Sequence, residues 1–132
     1  GLKKSAISFF LINKKADSGK IILKKSFNIS ENSNSTTVYK KITSLVLNNL
    51  KNLKMILRNK IIIKKGKKNE ENFWRKREFD DGVIDWRMSA NNIYRHYLAL
   101  SSPYPNVSFK YKKKFYKIKK CKLVKTSKYS NL

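Results

Sequence analysis

The sequence predicts an α/β fold in which two short strands and a long amphipathic helix are followed by a shorter helix and a basic β-hairpin. Three observations predict it: short apolar runs rich in β-forming residues, one long segment with apolar side chains every three or four positions, and strict alternation near the C-terminal end. Hydrophobic residues make up 40% of the 132 residues and aromatic residues 12%, so the chain has enough apolar surface to bury a core.

Two apolar runs in the first thirty residues predict a pair of strands. Residues 6–12 form the first run, and a second run begins at Ile21 and alternates with polar residues up to Ile29. An Asp-Ser-Gly turn at 17–19 lies between them, so we expect a hairpin-like unit. Asn and Ser residues then predict a loop over residues 28–35.

The clearest helix lies between Thr36 and Leu57, where apolar side chains recur in steps of three or four. The Asn, Ser and Thr residues at 34–36 are its candidate N-caps. A brief β-like run follows at 61–63. The charged, Gly-containing stretch at 64–71 is expected to be a linker or an exposed loop.

The last third of the chain predicts a second helix and a hairpin. Ser89 is the expected N-cap of this helix, and prolines at 103 and 105 end it. Residues 107–111 and 115–124 alternate apolar and polar side chains on either side of three lysines. This pattern predicts a basic β-hairpin, as part of a small barrel.

The formal net charge of +24 indicates a polyanionic partner such as RNA, DNA or an anionic membrane. A compositional bias explains the same charge, because Lys, Asn and Ile, which share A/T-rich codons, make up 54 of the 132 residues. Only 5 of the 32 cations are Arg, the residue suited to bidentate phosphate recognition, so we favour the compositional explanation.

The basic hairpin has two interpretations. Lysines between 110 and 122 are interleaved with Tyr111, Phe115 and Tyr116, a pattern typical of proteins that stack single-stranded bases and pair with phosphates. Simple alternation, with apolar side chains inward and lysines outward, explains the same pattern and is the interpretation that we favour. The alternative function that remains is a small basic RNA- or DNA-binding module.

The sequence offers few residues for other chemistry. One cysteine, Cys121, and one histidine, His96, exclude a disulfide framework and a multi-thiolate zinc site, so we expect no bound metal. No apolar run is long enough to span a bilayer, and we expect a cytoplasmic protein with no membrane partner. The chain begins at Gly1 rather than Met, so we expect a piece of a longer protein.

The acidic cluster of Asp80, Asp81 and Asp85 is expected to be a solvated turn, in which Asp85 caps the chain or pairs with Arg87. His96 is expected at the surface or rim of the second helix. Neither pattern predicts a metal site or a catalytic arrangement.

Two blocks of sequence resemble folate-dependent formyltransferases. Residues 5–12, followed by Asp17-Ser18-Gly19, resemble the segment in which a buried strand leads into an Asp-Ser/Thr-Gly turn. The second block resembles, in order and spacing, the junction into that family's C-terminal subdomain, and consists of residues 73–77, 81–86, 89–94 and 103–105. The two blocks cover most of residues 3–124 colinearly.

The resemblance implies both a fold and an activity. Residues 1–63 would be the C-terminal remnant of a Rossmann-like formyltransferase catalytic domain, residues 64–88 a connecting segment, and residues 89–132 the start of a small β-rich, OB-like lobe. The implied reaction moves a formyl group from 10-formyltetrahydrofolate to a primary amine, because the family members that look most similar act on methionyl-tRNA or nucleotide-linked amino sugars. Non-specific nucleic acid is a further expected partner.

The resemblance also implies a catalytic role for Asp17, which matches the Asp of the family's Asn, His and Asp set. Such a carboxylate would orient the His and help to receive the proton of the amine, while the Asn and His would stabilise the oxyanion. The family's Asn and His lie upstream of the matched region, and His96 matches a position on the C-terminal subdomain's helix. We therefore expect this chain to be inactive alone.

Three positions depart from the pattern of the family. Leu98 stands where the family usually carries Arg, Asn106 where it carries Gly, and Lys20 where an acidic residue is common. We expect these departures to alter contacts with the substrate.

Overall fold

The computed structural model of the chain describes residues 1–14, 19–59 and 74–124. Its helices and strands, in chain order, are β1 (Lys4–Phe10), β2 (Ile21–Asn28), α1 (Ser35–Arg58), the short 3-10 helix η1 (Phe79–Gly82), α2 (Ala90–Ala99), β3 (Ser108–Tyr111) and β4 (Lys114–Lys117). The predicted mixture of helices and strands is therefore confirmed. The predicted run at 61–63 and the predicted linker at 64–71 lie outside the described residues.

The chain divides into two compact units. Unit 1 contains residues 1–31 and 37–75, and unit 2 contains residues 32–36 and 76–132. Among the described residues, each unit contains one two-stranded sheet, β1–β2 in the first and β3–β4 in the second. The Rossmann-like and OB-like assignments and the predicted domain boundaries stay predictions.

In unit 1, β1 and β2 form the predicted antiparallel pair. The register runs from Lys4 opposite Asn28 to Phe9 opposite Leu23, and an irregularity follows between Phe9 and Phe10. Because side chains alternate along a strand, Phe9, Leu23 and the buried Phe27 share one face, which also carries Lys25. The half-buried Ala6 and Ile22 lie on the other face among polar residues, so both faces of the sheet are mixed.

The long helix α1 begins and ends within one residue of its predicted bounds. Within unit 1, its Lys41 reaches the end of β2. The ammonium group donates to the carbonyl oxygen of Asn28 at 2.7 Å and lies 5.9 Å from the centre of the Phe27 ring. The ammonium group of Lys41 thus lies over the buried Phe27 ring and satisfies a carbonyl at the end of the strand.

The core of unit 2 is centred on Val107, which is fully buried. Ile84 and Leu100 are also buried, and the partly buried residues that pack against them are Ile93, Tyr97 and Ile118. The backbone around Val107 makes three hydrogen bonds. The Asn106 N–H donates to the Leu100 carbonyl. The Val107 carbonyl accepts from the Ile118 N–H, and the Ser108 carbonyl accepts from the Ile84 N–H. Residues 106–108 therefore join α2, the segment after η1 and the end of the hairpin.

The hairpin is shorter than the alternation predicts. β4 ends at Lys117 rather than near Val124, and Ile118 adds one further backbone hydrogen bond, to the Val107 carbonyl, while it packs against the core of unit 2. The tight turn between the strands consists of Lys112 and Lys113, both at positive φ (44° and 66°). This is the conformation that two-residue hairpin turns require and that Asn and Gly adopt most easily.

Asn106 also has a positive φ, of 68°. For most residues this left-handed conformation costs about 1–2 kcal/mol, but glycine pays no steric penalty and asparagine adopts it readily. Asn and Gly are therefore the two residues best suited to the position that leads into Val107.

We predict that Asn106→Gly changes the free energy of unfolding by less than about 1 kcal/mol, whereas Asn106→Ala lowers it by about 1 kcal/mol or more. The physical reason is that alanine carries a Cβ that opposes positive φ. Urea-induced unfolding of the three proteins measures the difference. Equal stability of the Gly and Ala variants would contradict the left-handed backbone at this position.

Candidate functional site

Asp17 itself lies outside the described residues, but the residues before 15 and after 18 are described. The N–H of Leu11 donates to the carbonyl oxygen of Lys20 at 2.9 Å, which extends the pairing of β1 and β2. A Cβ added to Gly19 would lie 1.7 Å from the carbonyl oxygen of Leu11, so this close approach requires glycine. The glycine of the Asp-Ser-Gly turn thus allows the two strand ends to meet.

The side chains at this end of unit 1 are apolar and exposed. Phe10, Leu11 and Ile21 are 39–45% exposed, and Ile12 is 91% exposed. In the sequence, Asp17 is separated from these apolar residues by Lys14 and Lys15 on one side and by Lys20 on the other.

The acidic turn of unit 2 has structural partners. The carboxylate of Asp81 accepts from the N–H of Glu78 at 2.8 Å, as part of a capping box at the start of η1. Asp85 accepts from the backbone N–H of Arg87 at 3.0 Å and from its guanidinium at 2.7 and 2.9 Å. The predicted pairing of Asp85 with Arg87 is confirmed.

The same contacts shift the titration of Asp85. The side-chain hydrogen bond from Arg87, followed by its backbone hydrogen bond, lowers the pKa of Asp85 to about 2. Asp85 and Arg87 form a local ion pair, so we assign the pair a structural role.

His96 is half-buried, which agrees with the predicted surface or rim position, and its ring connects α2 to η1. Its Nε2 lies 2.9 Å from the carbonyl oxygen of Asp81, to which a neutral ring protonated at Nε2 donates. Its Nδ1 is buried and has no hydrogen-bond partner among the described residues. Within the same residues, no group of three or more His, Cys, Asp or Glu side chains could hold a metal ion.

Ser35, at the start of α1, binds the end of α2. Its hydroxyl donates to the carbonyl oxygens of Ala99 at 2.5 Å and Leu98 at 3.3 Å, and its own N–H donates to the Ser101 hydroxyl at 3.2 Å. Thr36 makes a parallel contact, from its hydroxyl to the carbonyl of Ser102 at 2.5 Å. Ser35 thus donates to the last turn of α2, and Thr36 donates to the turn that follows it.

Sequence reasoning missed this contact because more than sixty residues separate its partners. The available signal was a Ser-Thr pair at a helix start together with a Ser-Ser pair after the second helix.

The hairpin of unit 2 exposes its aromatic side chains. Tyr111 is 56% exposed, Phe115 48% and Tyr116 44%. The favoured interpretation, with apolar side chains inward, therefore fails for these three residues, and the hairpin contacts the core through Val107 and Ile118.

Comparisons with known proteins identify the family. The family model of the formyl transferase C-terminal domain matches residues 77–131. The chain is 38% identical over 108 residues to the bifunctional polymyxin resistance protein ArnA of Wigglesworthia glossinidia brevipalpis, a match that covers 80% of the chain. It is 28% identical over 145 residues to the methionyl-tRNA formyltransferase of Prochlorococcus marinus, a match that covers 99% of the chain. The chain belongs to the formyltransferase family.

Solved structures show the same fold. A methionyl-tRNA formyltransferase from Clostridium thermocellum matches 86% of the chain and 48% of its own length, with a TM-score of 0.70 and 19% identity. A variant of HypX from Aquifex aeolicus matches 86% of the chain and 21% of its own length, with a TM-score of 0.67 and 20% identity. The chain spans 16% of the ArnA relative and 42% of the Prochlorococcus formyltransferase.

Two of the departures from the formyltransferase pattern now have a structural description. Leu98, at the expected Arg position, is 8% exposed, so the chain places a buried apolar side chain there. Asn106, at the expected Gly position, adopts positive φ. No helix among the described residues is long and apolar enough to cross a membrane.

We predict that Ser35→Ala lowers the free energy of unfolding by about 1–3 kcal/mol, because it removes a buried donor from the carbonyls at the end of α2. Thr36→Val is the matched control. It removes a hydroxyl whose partner is exposed, and we expect a loss of no more than about 1 kcal/mol. Urea-induced unfolding measures both. Equal losses of unfolding free energy in the two variants would contradict the prediction that the buried contact of Ser35 stabilises the fold more than the exposed contact of Thr36.

We predict that Arg87→Gln raises the pKa of Asp85 from about 2 to the ordinary range of aspartate. Because the folded pKa is depressed, the pair stabilises its turn above the ordinary pKa of aspartate, and this contribution disappears as the pH falls towards 2. An NMR titration of the Asp85 carboxyl carbon measures the change, with Arg95→Gln as the control. If the pKa of Asp85 were unchanged in the Arg87→Gln variant, the ion pair with Arg87 would not be the cause of its low value.

Proposed function

We propose that this chain is part of an N-formyltransferase that moves a formyl group from 10-formyltetrahydrofolate to a primary amine. The observation that carries the proposal is the extent of one sequence match. The alignment with a methionyl-tRNA formyltransferase covers 99% of the chain. The match of the family model to residues 77–131 supports it independently. The chemistry belongs to the whole protein, of which the matched region is a part.

The reaction requires a proton acceptor. The amine nitrogen attacks the formyl carbon, a tetrahedral intermediate forms, and the carbon–nitrogen bond to the folate breaks as the folate nitrogen takes up a proton. The attacking amine must lose a proton in this sequence. We propose that the Asp17 carboxylate orients a His and, with it, receives this proton.

The position of Asp17 in the chain supports this role. It lies between β1, which ends at Phe10, and β2, which begins at Ile21, and the N–H of Leu11 donates to the carbonyl oxygen of Lys20 across the two chain ends that flank it. These flanking residues of unit 1 are therefore held in place, and a fixed scaffold is what the positioning of a proton acceptor requires.

The acceptor is proposed to be methionyl-tRNA or a nucleotide-linked amino sugar. Although we attribute the net charge of +24 mainly to composition, a positive surface still attracts an acceptor that is carried on tRNA. Methionyl-tRNA is the acceptor in the name of the Prochlorococcus relative. The proposed compartment is the cytoplasm, where a free thiol such as that of Cys121 stays reduced.

We further propose that the chain is inactive alone. The family's catalytic Asn and His have no counterpart among the matched residues, and His96 donates to a backbone carbonyl in unit 2. Without these groups, the oxyanion of the intermediate would lack its donors, each of which contributes on the order of a hundredfold or more to the rate of acyl transfer.

The test is a formyl-transfer assay on the chain alone and on the longest polypeptide that its reading frame encodes, with both acceptors. We predict no activity for the chain and activity for the longer protein. In that protein, Asp17→Asn should lower kcat by at least about a hundredfold, because the carboxylate can no longer accept a proton or hold a charged His.

Asp80→Asn serves as the matched control, because Asp80 is an exposed carboxylate in η1, and it should retain nearly full activity. Circular dichroism establishes that both variants fold. Near-normal turnover of the Asp17 variant would refute its catalytic role, and an inactive longer protein would refute the proposed reaction.

A further inference from the structure

The long helix α1 carries large apolar side chains that the fold leaves exposed. Tyr39, Leu47, Leu50 and Leu57 are 46%, 60%, 50% and 55% exposed. They follow one another at intervals of eight, three and seven residues, and such steps keep side chains on one side of a helix. We call these four residues the outer row.

A different side of α1 is covered by unit 1. Asn49 is buried, and the half-buried side chains of this side are Val38, Ile42, Leu45, Val46, Leu53 and Ile56. The outer row lies next to it around the helix, so the apolar part of α1 is wider than the part that the fold covers. An exposed apolar strip beside a covered one is typical of a surface that binds a partner.

The spacing of the outer row matches the seam of paired helices. Positions 43, 47, 50, 54 and 57 follow one another in steps of four and three, which is the repeat of helices that pack side by side. Thr43 and Lys54 are the polar members of this seam. The Thr43 hydroxyl already donates to the Tyr39 carbonyl at 3.0 Å, so it requires no acceptor from a partner.

The charges beside the outer row are all positive. α1 contains five Lys or Arg residues and no Asp or Glu. Lys40, Lys51 and Arg58 are eleven and seven residues apart, so they form a line on the flank of the outer row that lies away from the covered side. Among the residues that the structure describes, no carboxylate pairs with any of these three. We call them the cation line.

We propose that α1 docks an acidic amphipathic helix of another protein, with the partner's apolar side chains packed on the outer row and its carboxylates paired with the cation line. Charge decides against a second copy of this chain, because two α1 helices would bring like charges together. The width of the row decides against a membrane, because a helix that lies on a bilayer buries a broad apolar face rather than one row.

The probe is a fluorescent 21-residue peptide with Leu at the two apolar positions of each heptad, Glu on both flanks, and Ala, Gln and Ser elsewhere. Its binding to the full 132-residue chain is measured by fluorescence anisotropy. One control peptide carries Lys in place of Glu, and another carries Ser in place of Leu. We expect the acidic Leu peptide to bind at least about tenfold more tightly than either control, because apolar and charged contacts both contribute. Equal affinity for the two acidic peptides would show attraction by charge alone and overturn the proposal.

Variants of α1 locate the peptide on the helix. Leu50→Ser should weaken binding of the acidic Leu peptide about tenfold. Met55→Ser is the matched control, since Met55 is 55% exposed on the same helix but lies beyond the cation line, and it should leave the affinity unchanged. Circular dichroism establishes that both variants keep their helix content. Equal losses of affinity in the two variants would refute docking on the outer row.

A reversal of charge tests the cation line. Lys51→Glu should weaken binding of the acidic peptide about fivefold or more and strengthen binding of the Lys peptide, a reversal that a loss of folding cannot produce. Lys24→Glu changes an exposed lysine of β2 and should alter neither affinity by more than about twofold. The same response in both variants would show an effect of net charge and overturn the assignment of the cation line.

Three measurements distinguish other occupants of the outer row. Self-association of the chain in sedimentation, or binding to vesicles of neutral and anionic phospholipid, would overturn the proposal where Leu50→Ser abolishes it. A peptide that binds the chain but not the longest polypeptide of its reading frame would show that another segment of the same polypeptide covers the row. We expect a monomer, no vesicle binding that depends on Leu50, and equal affinity of both polypeptides for the peptide. No substrate of formyl transfer is present, so these results are independent of the formyl-transfer assay.

Discussion

Unit 2 depends on the backbone pairing of residues 106–108. This segment bonds to the end of α2, to the chain after η1 and to the end of β4, and it places the fully buried Val107 between them. A ten-residue helix and a two-stranded hairpin are each marginal in water by themselves. The shared core around Val107 therefore stabilises both, and the positive φ of Asn106 is the local condition for the chain to enter this core from α2.

The sequence predicted the elements that follow from local periodicity. The bounds of α1, the N-cap of α2 at Ser89 and the antiparallel pairing of β1 with β2 all follow from spacing within short windows. Contacts between residues that are far apart in the sequence produce no such periodic pattern. The hydroxyl of Ser35 was predicted as a helix cap, but it donates to carbonyls more than sixty residues later, since the end of α2 leaves carbonyls that need a donor.

The burial of the hairpin side chains is the second feature that the sequence did not predict correctly. Alternation correctly predicted strands, but a strand pattern does not say whether a second layer covers the apolar face. In unit 2 the core ends near Ile118, so Tyr111 and Tyr116 extend beyond it and remain exposed. For the candidate site, the residues alone predicted a turn at 17–19, and the assignment of Asp17 came from the resemblance to formyltransferases, because a single turn aspartate has no distinctive pattern of its own.

The two units differ in what their charged groups can do. In unit 2, Asp81 and Asp85 serve a capping box and an ion pair, and His96 binds a backbone carbonyl, so these groups are engaged in holding the fold. The exposed side chains of the hairpin in unit 2 are aromatic rings and lysines. Proton transfer, as proposed, rests on Asp17 of unit 1, which precedes Gly19 in the sequence, at the close approach of that glycine to the Leu11 carbonyl.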